Sequence, residues 1–178
     1  MFLKRPVVSS ENNGSPVPGR AWYAFIPLGA ALIAYINSFQ GAFQLDDYNV
    51  IVFNSAVHSW SAFGKQFFPG IRPLLKLTYT LNWTSSPGVF GFHVFNLAIH
   101  LINTLLVYQL TVSFLKECRT GLPQNALYPA AILTAVLFAL HPAGTEAVTY
   151  ISGRSASMMT MFYLGSLTAY IKGSREGK

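Results

Sequence analysis

The stretch from Ala21 to Phe39 constrains the fold most, because it runs for 19 residues without a charged side chain. A helix needs about 20 predominantly apolar residues to cross the hydrocarbon of a bilayer, so this stretch predicts a transmembrane span. Trp22 and Tyr23 stand at its start, where aromatic rings favour the membrane interface.

Composition supports a membrane class. The 178 residues are 52% hydrophobic and only 10% charged, against ~25% charged residues in an average soluble domain. We therefore expect an all-α membrane protein. The net charge of +6 does not predict nucleic-acid binding, because the basic residues flank apolar segments instead of forming one run. The single Cys118 excludes an internal disulfide.

Three further apolar stretches predict spans at about 92–115, 127–151 and 155–171, which makes about four transmembrane helices with the span at 21–39. The third is interrupted at His141-Pro142 and is either continued or re-entrant. Basic residues are more frequent on the side that we predict to be cytoplasmic, which places both termini there. The basic residues on that side are Lys4, Arg5, Arg20, Lys116, Arg119, Lys172, Arg175 and Lys178.

These assignments divide the chain into a disordered cytoplasmic tail (1–20), a transmembrane module (21–171) and a cytoplasmic end (172–178) that we expect to be truncated. A long external loop, 40–87, is part of the module. Trp60, Phe63 and Phe67 recur there at helical spacing, which predicts a helix lying in the membrane interface. A second interfacial helix is predicted after Arg72, and a small soluble subdomain is the alternative.

The second span carries four polar side chains, His93, Asn96, His100 and Asn103. At ~100° per residue they fall within about 80° of each other on one helix face. Polar groups in lipid need partners, so this face should point into a helix bundle. We favour interhelical hydrogen bonding over a metal site, because zinc would want closer His pairs and a third ligand.

Asp46 and Asp47 hold a third of the six acidic residues and follow the first span directly. A charge pair at the end of a span is costly unless it has a use. A carboxylate can take a proton from an acceptor hydroxyl, and an arginine can hold a phosphate through two parallel bonds. Two or three carboxylates could also hold a divalent cation. These groups suit chemistry on a phosphorylated, lipid-borne substrate.

Five motifs from Gly41 to Ile171 resemble the amino-terminal membrane part of the transmembrane and tetratricopeptide-repeat O-mannosyltransferases and their bacterial relatives, which belong to the GT-C class of glycosyltransferases. The motifs are Phe43-x-x-Asp46-Asp47, Ile71-Arg72-Pro73-Leu74, Gly91-Phe92-His93-x-x-Asn96-Leu97-x-x-His100, Leu137-Phe138-Ala139-Leu140-His141-Pro142-x-x-Thr145-Glu146-Ala147-Val148 and Ser152-Gly153-Arg154-Ser155.

The resemblance implies transfer of a sugar, with inversion, from a polyprenyl-phosphate donor to a protein or other acceptor at the external face of the endoplasmic reticulum or bacterial inner membrane. It implies that Asp46 or Asp47 is the catalytic base and that Arg154 helps to hold the donor phosphate. Arg72, Glu146 and His141 complete the predicted substrate-binding set. Relatives often carry an acidic residue where Ala156 and Ser157 stand here, so a further carboxylate role is not supported.

Simpler structural roles stay open for each residue. The acidic pair could cap a helix, Glu146 could belong to a helix start, and His141 could end one. Arg72 and Arg154 could be interfacial anchors. At the level of the whole chain, the alternatives to an enzyme part are a non-catalytic membrane anchor or assembly subunit of the same ancestry, and a small transporter-like bundle that uses the polar face of the second span.

Overall fold

A computed structural model describes residues 20–117 and 123–176, and within these ranges every regular element is helical. Most of the predicted tail, the residues around Cys118 and the last two residues lie outside the described ranges. The helices are α1 (Phe25–Tyr35), α2 (Trp60–Gln66), α3 (Pro73–Ser85), α4 (Val89–Glu117), α5 (Gln124–Ala139), α6 (Thr145–Thr149) and α7 (Arg154–Glu176).

Two described segments are long and apolar enough to cross a membrane, Trp22–Gln40, which contains α1, and Val89–Glu117, which is α4. A bent pair, Ala126–Leu140 with Pro142–Thr149, would add a third span, its two parts meeting at 52°. The prediction of an all-α membrane protein is confirmed. The fourth predicted span is a helix, α7, whose many Ser, Thr and Gly residues keep it below the hydropathy of the others.

Helix α4 is the centre of the bundle and packs against α1, α5 and α7. The approach of α5 follows from its sequence, because Ala131, Ala135 and Ala139 recur every four residues and so share one face. All three are fully buried, and Tyr108 of α4 packs against the first two. Small side chains allow two helix backbones to come close, which is the usual basis of helix association in membranes.

The predicted polar face of α4 binds neighbouring segments, as expected. Asn96 donates from Nδ2 to the carbonyl oxygens of Val148 and Tyr150, at 3.3 and 3.1 Å. Asn103 donates to the carbonyl of Ser157 at 2.9 Å, and His100 Nε2 lies 3.1 Å from the carbonyl oxygen of Ala139. The accepting carbonyls belong to the end of α5, the end of α6 and the residue after it, and the first turn of α7, so α4 holds the irregular segment between α5 and α7.

The two short helices of the predicted external loop also form. Ser59 caps α2 by accepting a bond from the backbone N–H of Ala62, and Pro73 occupies the first turn of α3, where no N–H is needed. Helix α3 packs on both α4 and α7. That these helices lie at the membrane interface stays a prediction.

Candidate active site at the meeting of two loops

The predicted catalytic pair lies in a short loop that follows the first span. Gly41 begins the loop in a tight place, because a Cβ there would lie 2.7 Å from His93 Nε2 and 3.1 Å from the carbonyl oxygen of Ser38. Leu45, directly before the pair, has a φ of 42°, in the left-handed region that non-glycine residues rarely occupy. Strained backbone of this kind persists only where surrounding contacts hold it, and it is frequent at functional sites.

Asp47 is a buried anchor, with only 1% of its surface exposed. Its Oδ1 accepts bonds from both the backbone N–H of Ser152, at 2.8 Å, and the Ser152 hydroxyl, at 2.5 Å. Its Oδ2 accepts the N–H of Gln44 at 2.9 Å. The carboxylate therefore joins two loops that are 105 residues apart in the sequence, and all of these bonds go to protein groups.

Asp46 has the opposite surroundings, because its side chain is exposed. Its backbone N–H donates to the Tyr150 hydroxyl oxygen at 3.0 Å, a second tie between the same two loops. The two neighbouring carboxylates thus divide their roles. Asp47 binds the protein, while Asp46 presents a free carboxylate on a positioned backbone.

The partner loop runs from His141 to Arg154 and is tightly folded. Three short helical turns follow each other there, Pro142–Gly144, Thr145–Thr149 and Ile151–Gly153. A Cβ at Gly153 would lie 2.6 Å from the carbonyl oxygen of Glu146 and 3.1 Å from the Ala147 Cα, so only glycine fits without moving the backbone. The Glu146 side chain is exposed on this loop.

Arg154 is fully buried, at 0% exposure, where α3, α4 and α7 meet. Its guanidinium donates to Asn96 Oδ1 at 2.7 Å, to the Thr78 hydroxyl at 3.0 Å and to the Phe92 carbonyl at 3.0 Å. Aromatic rings surround it, with centroids at 4.9 Å (Tyr79), 5.5 Å (Phe92) and 4.6 Å (Phe95). Arg154, which was predicted to hold a donor phosphate, therefore uses its guanidinium to bind protein groups in this structure.

Tyr79 forms one wall of this arginine pocket and is itself 2% exposed. Burial raises the pKa of Tyr79 to about 12, and the positive charge of Arg154 opposes that rise. The phenol is therefore neutral at physiological pH. A neutral ring face attracts the guanidinium through its quadrupole, which partly offsets the cost of burying the charge.

Arg72 is the exposed cation of the predicted substrate-binding set. It precedes α3 with a φ of 56°, again in the left-handed region. It stands on a groove of about 570 Å³ between the starts of α3 and α7. Apolar side chains dominate the rest of the groove lining, which includes Leu74, Leu75, Met158 and Met159. An apolar groove with one cation at its edge is complementary to an amphiphile with an anionic head.

His141 lies in a different place. It lines a second cavity, of about 350 Å³, together with His100 and Asn103 of α4. Its Nδ1 accepts the backbone N–H of Ala143 at 3.2 Å, so the imidazole caps the turn that follows it. The structure gives His141 no contact with Asp46. Within the described ranges no three His, Cys, Asp or Glu side chains lie together as a metal ion would require.

The structure therefore brings together the acidic pair, the loop that carries Glu146, and Arg154. Sequence reasoning missed Tyr150, Ser152 and Thr78, which make the tertiary bonds. Ser152 was inside a recognised motif, but a serine beside a glycine gives no sign of a carboxylate partner 105 residues away.

The bundle and the two joined loops define an all-α membrane protein in which Asp46 and Glu146 expose carboxylates on the two loops. The chain is similar to curated proteins that are named protein O-mannosyl-transferases. Human Protein O-mannosyl-transferase TMTC4 is 30% identical over 174 residues, 87% of this chain and 24% of that protein. Mouse TMTC3 is 31% identical over 152 residues, which are 78% of this chain and 15% of that protein. Human TMTC1 is 32% identical over 166 residues, which are 84% of this chain and 18% of that protein.

These similarities confirm the resemblance predicted from the motifs. The chain spans about a quarter or less of the length of these three proteins. No protein-family model matches the sequence, and no solved structure matches it.

Replacing Arg154 by methionine should destabilise the fold by about 3 kcal/mol, because the Asn96, Thr78 and Phe92 acceptors would be left buried without a charged donor. Unfolding in detergent micelles measures the loss. Lys172→Met is the matched control, since Lys172 is an exposed cation on the same helix and should change stability by less than about 0.5 kcal/mol. Equal effects of the two substitutions would contradict the role of Arg154.

Gly153→Ala should lower the stability by about 1–3 kcal/mol, because the added methyl group meets backbone atoms that cannot move separately. The comparison is Gly144→Ala in the same loop, where the nearest atoms are 4.0 Å from the new Cβ. Thermal unfolding of both variants in one detergent checks the difference. A Gly153→Ala protein as stable as the Gly144→Ala protein would show that the loop contact is wrongly described.

Proposed function

We propose that the chain is the amino-terminal part of a membrane glycosyltransferase that moves a sugar from a polyprenyl-phosphate donor to a protein hydroxyl. One observation carries the proposal: Asp46 is exposed while its backbone is held by Tyr150 and its neighbour Asp47 is buried against Ser152. A free carboxylate on a rigid support is what a general base needs. The names of the similar proteins support mannose as the sugar.

In this proposal the acceptor hydroxyl gives its proton to the Asp46 carboxylate while its oxygen attacks the anomeric carbon of the sugar. The bond from that carbon to the phosphate oxygen breaks, and the electron pair leaves with the lipid phosphate. Attack from the face opposite the phosphate inverts the anomeric centre. General-base assistance of this kind contributes typically 10²–10⁴-fold to the rate.

The donor lipid would lie in the groove between α3 and α7. The Arg72 guanidinium can hold the phosphate through two parallel charge-assisted bonds, while Leu75, Met158 and their neighbours contact the isoprenoid chain. Arg72 is better placed for this than Arg154, whose guanidinium is buried and bonded to protein groups. We assign Arg154 instead to positioning the loop that follows α6.

Glu146 and His141 stay proposed substrate contacts, the first exposed on the partner loop and the second at the separate cavity. A divalent cation is given no role in the proposed step. The distribution of Lys and Arg supports cytoplasmic termini and a site at the external face, in the endoplasmic reticulum or a bacterial inner membrane. Partners would be the lipid-linked sugar, membrane lipid and an acceptor protein, with no nucleic acid.

Asp46→Asn should reduce sugar transfer by the intact protein about 10²–10⁴-fold, because the amide cannot accept the proton. The assay is transfer from a polyprenyl-phosphate mannose to a peptide in proteoliposomes, with the melting temperature measured in parallel. The melting temperature should stay unchanged, since the Asp46 side chain is exposed.

Asp47→Asn is the companion variant, and it should lower the melting temperature because it weakens the bonds to Ser152 and Gln44. Full transfer activity in a well-folded Asp46→Asn protein would remove the enzyme proposal and leave a membrane anchor or assembly subunit.

Arg72→Gln should raise the apparent KM for the lipid-linked donor roughly 10–100-fold, which corresponds to the loss of a hydrogen bond between charged groups. The KM for the acceptor peptide should not change. Lys65→Gln is the control, because Lys65 is an exposed cation at the end of α2 and does not line the groove. Equal effects of both substitutions would indicate general attraction to the membrane surface and not a phosphate contact.

A further inference from the structure

We infer that the Tyr150 hydroxyl contacts the acceptor directly and makes the site selective for alcohols; this inference rests on the proposed function. Tyr150 was not among the residues that the sequence pointed to. Its phenol oxygen accepts the backbone N–H of Asp46 at 3.0 Å, which places it beside the proposed base.

Two hydrogen bonds fix the backbone of Tyr150, and the side chain starts from that fixed position. The Tyr150 N–H donates to the carbonyl of Glu146 at 3.1 Å, and the Tyr150 carbonyl accepts from Asn96 Nδ2 at 3.1 Å. The side chain is partly exposed. A tyrosine hydroxyl has one proton to donate, and within the described residues that proton has no acceptor. The structure therefore presents an unused donor bonded to the backbone of the residue that carries the proposed base.

A hydrogen-bond donor from Tyr150 and a carboxylate acceptor from Asp46 together match one kind of chemical group, an alcohol. An alcohol donates its proton to a carboxylate and still has two oxygen lone pairs, one for the attack on the sugar and one to accept a bond from Tyr150. An ammonium group has no lone pair, and an amide nitrogen only donates. Serine or threonine side chains would therefore be oriented through the attacking oxygen itself, whereas a lysine ammonium would leave the Tyr150 donor unpaired and asparagine could pair with it only through its carbonyl oxygen, away from the attacking nitrogen.

Tyr150 keeps its proton throughout the step. The acceptor proton goes to Asp46, the new bond joins the acceptor oxygen to the anomeric carbon, and the lipid phosphate leaves with the electron pair. The phenol only orients the attacking oxygen, and positioning of this kind is a recognised part of catalysis.

Joining the two loops is not a sufficient reason for a hydroxyl at Tyr150. Asp47 already joins the same loops through two bonds to Ser152, at 2.8 and 2.5 Å. The bond from Asp46 to Tyr150 adds a third tie to a junction that is held without it. Loss of the hydroxyl should therefore affect the acceptor more than the fold.

The test compares Tyr150→Phe with two controls in the intact protein, in proteoliposomes with a lipid-linked mannose and a serine or threonine peptide. Tyr150→Phe should raise the acceptor KM about tenfold, the loss of one hydrogen bond, and leave the donor KM unchanged. Tyr48→Phe removes a hydroxyl from an exposed ring two residues from Asp46 and should have no effect. Ser152→Ala loosens the junction and should lower the melting temperature without a selective change in acceptor KM.

A second measurement separates contact from support. Fluorinated tyrosine at position 150 keeps the ring, the oxygen and the bond from Asp46, but its phenol is a stronger acid. A more acidic phenol is a stronger hydrogen-bond donor, so the acceptor KM should fall while the donor KM and the melting temperature stay unchanged.

An acceptor KM that the fluorinated tyrosine leaves unchanged, or a Tyr150→Phe protein that behaves like either control, would overturn the inference even where Asp46→Asn has abolished transfer. An active Asp46→Asn protein would instead reject the proposed function. The two failures are therefore distinguishable.

Discussion

The buried guanidinium of Arg154 is the interaction on which the rest of the structure depends. A charge without water is very costly unless neighbouring groups replace its hydration. Here three hydrogen-bond acceptors and three aromatic rings do so, and they come from α3 and α4. The start of α7 can therefore sit only where both helices reach it. Its position decides where the preceding loop lies.

The same arrangement fixes the position of the segment between α5 and α7. Asn96 holds Arg154 through its oxygen and the carbonyls of the 148–151 segment through its nitrogen. Tyr150 of that segment and Ser152, the next residue after it, bind the acidic loop. One residue of α4 thus links the buried charge to the site. Left-handed backbone occurs at Leu45, directly before the exposed Asp46, and at the exposed Arg72; Asp46 and Arg72 are the two residues that we propose to contact substrate.

Much of the fold could be predicted because it depends on local patterns. Uncharged stretches predicted helices where the structure has α1, α4, α5 and α7. The spacing on α4 predicted a polar face, and Asn96, His100 and Asn103 on that face bond to other segments, while the buried ring nitrogens of His93 have no hydrogen-bond partner among the described residues. Roles within the site were harder. Arg154 was expected to meet a phosphate, and the same charge and donor groups serve equally to hold a protein interior together.

The sequence by itself determined the membrane class, the helices, the polar face of α4 and the resemblance to O-mannosyltransferases, because hydropathy and spacing are properties of neighbouring residues. Only the tertiary structure decided which of two adjacent aspartates is exposed, which arginine is buried and which tyrosine bonds to Asp46. Those outcomes depend on partners about a hundred residues away, such as Ser152 for Asp47. Such contacts decide whether a polar side chain is buried, and residue type alone does not predict it.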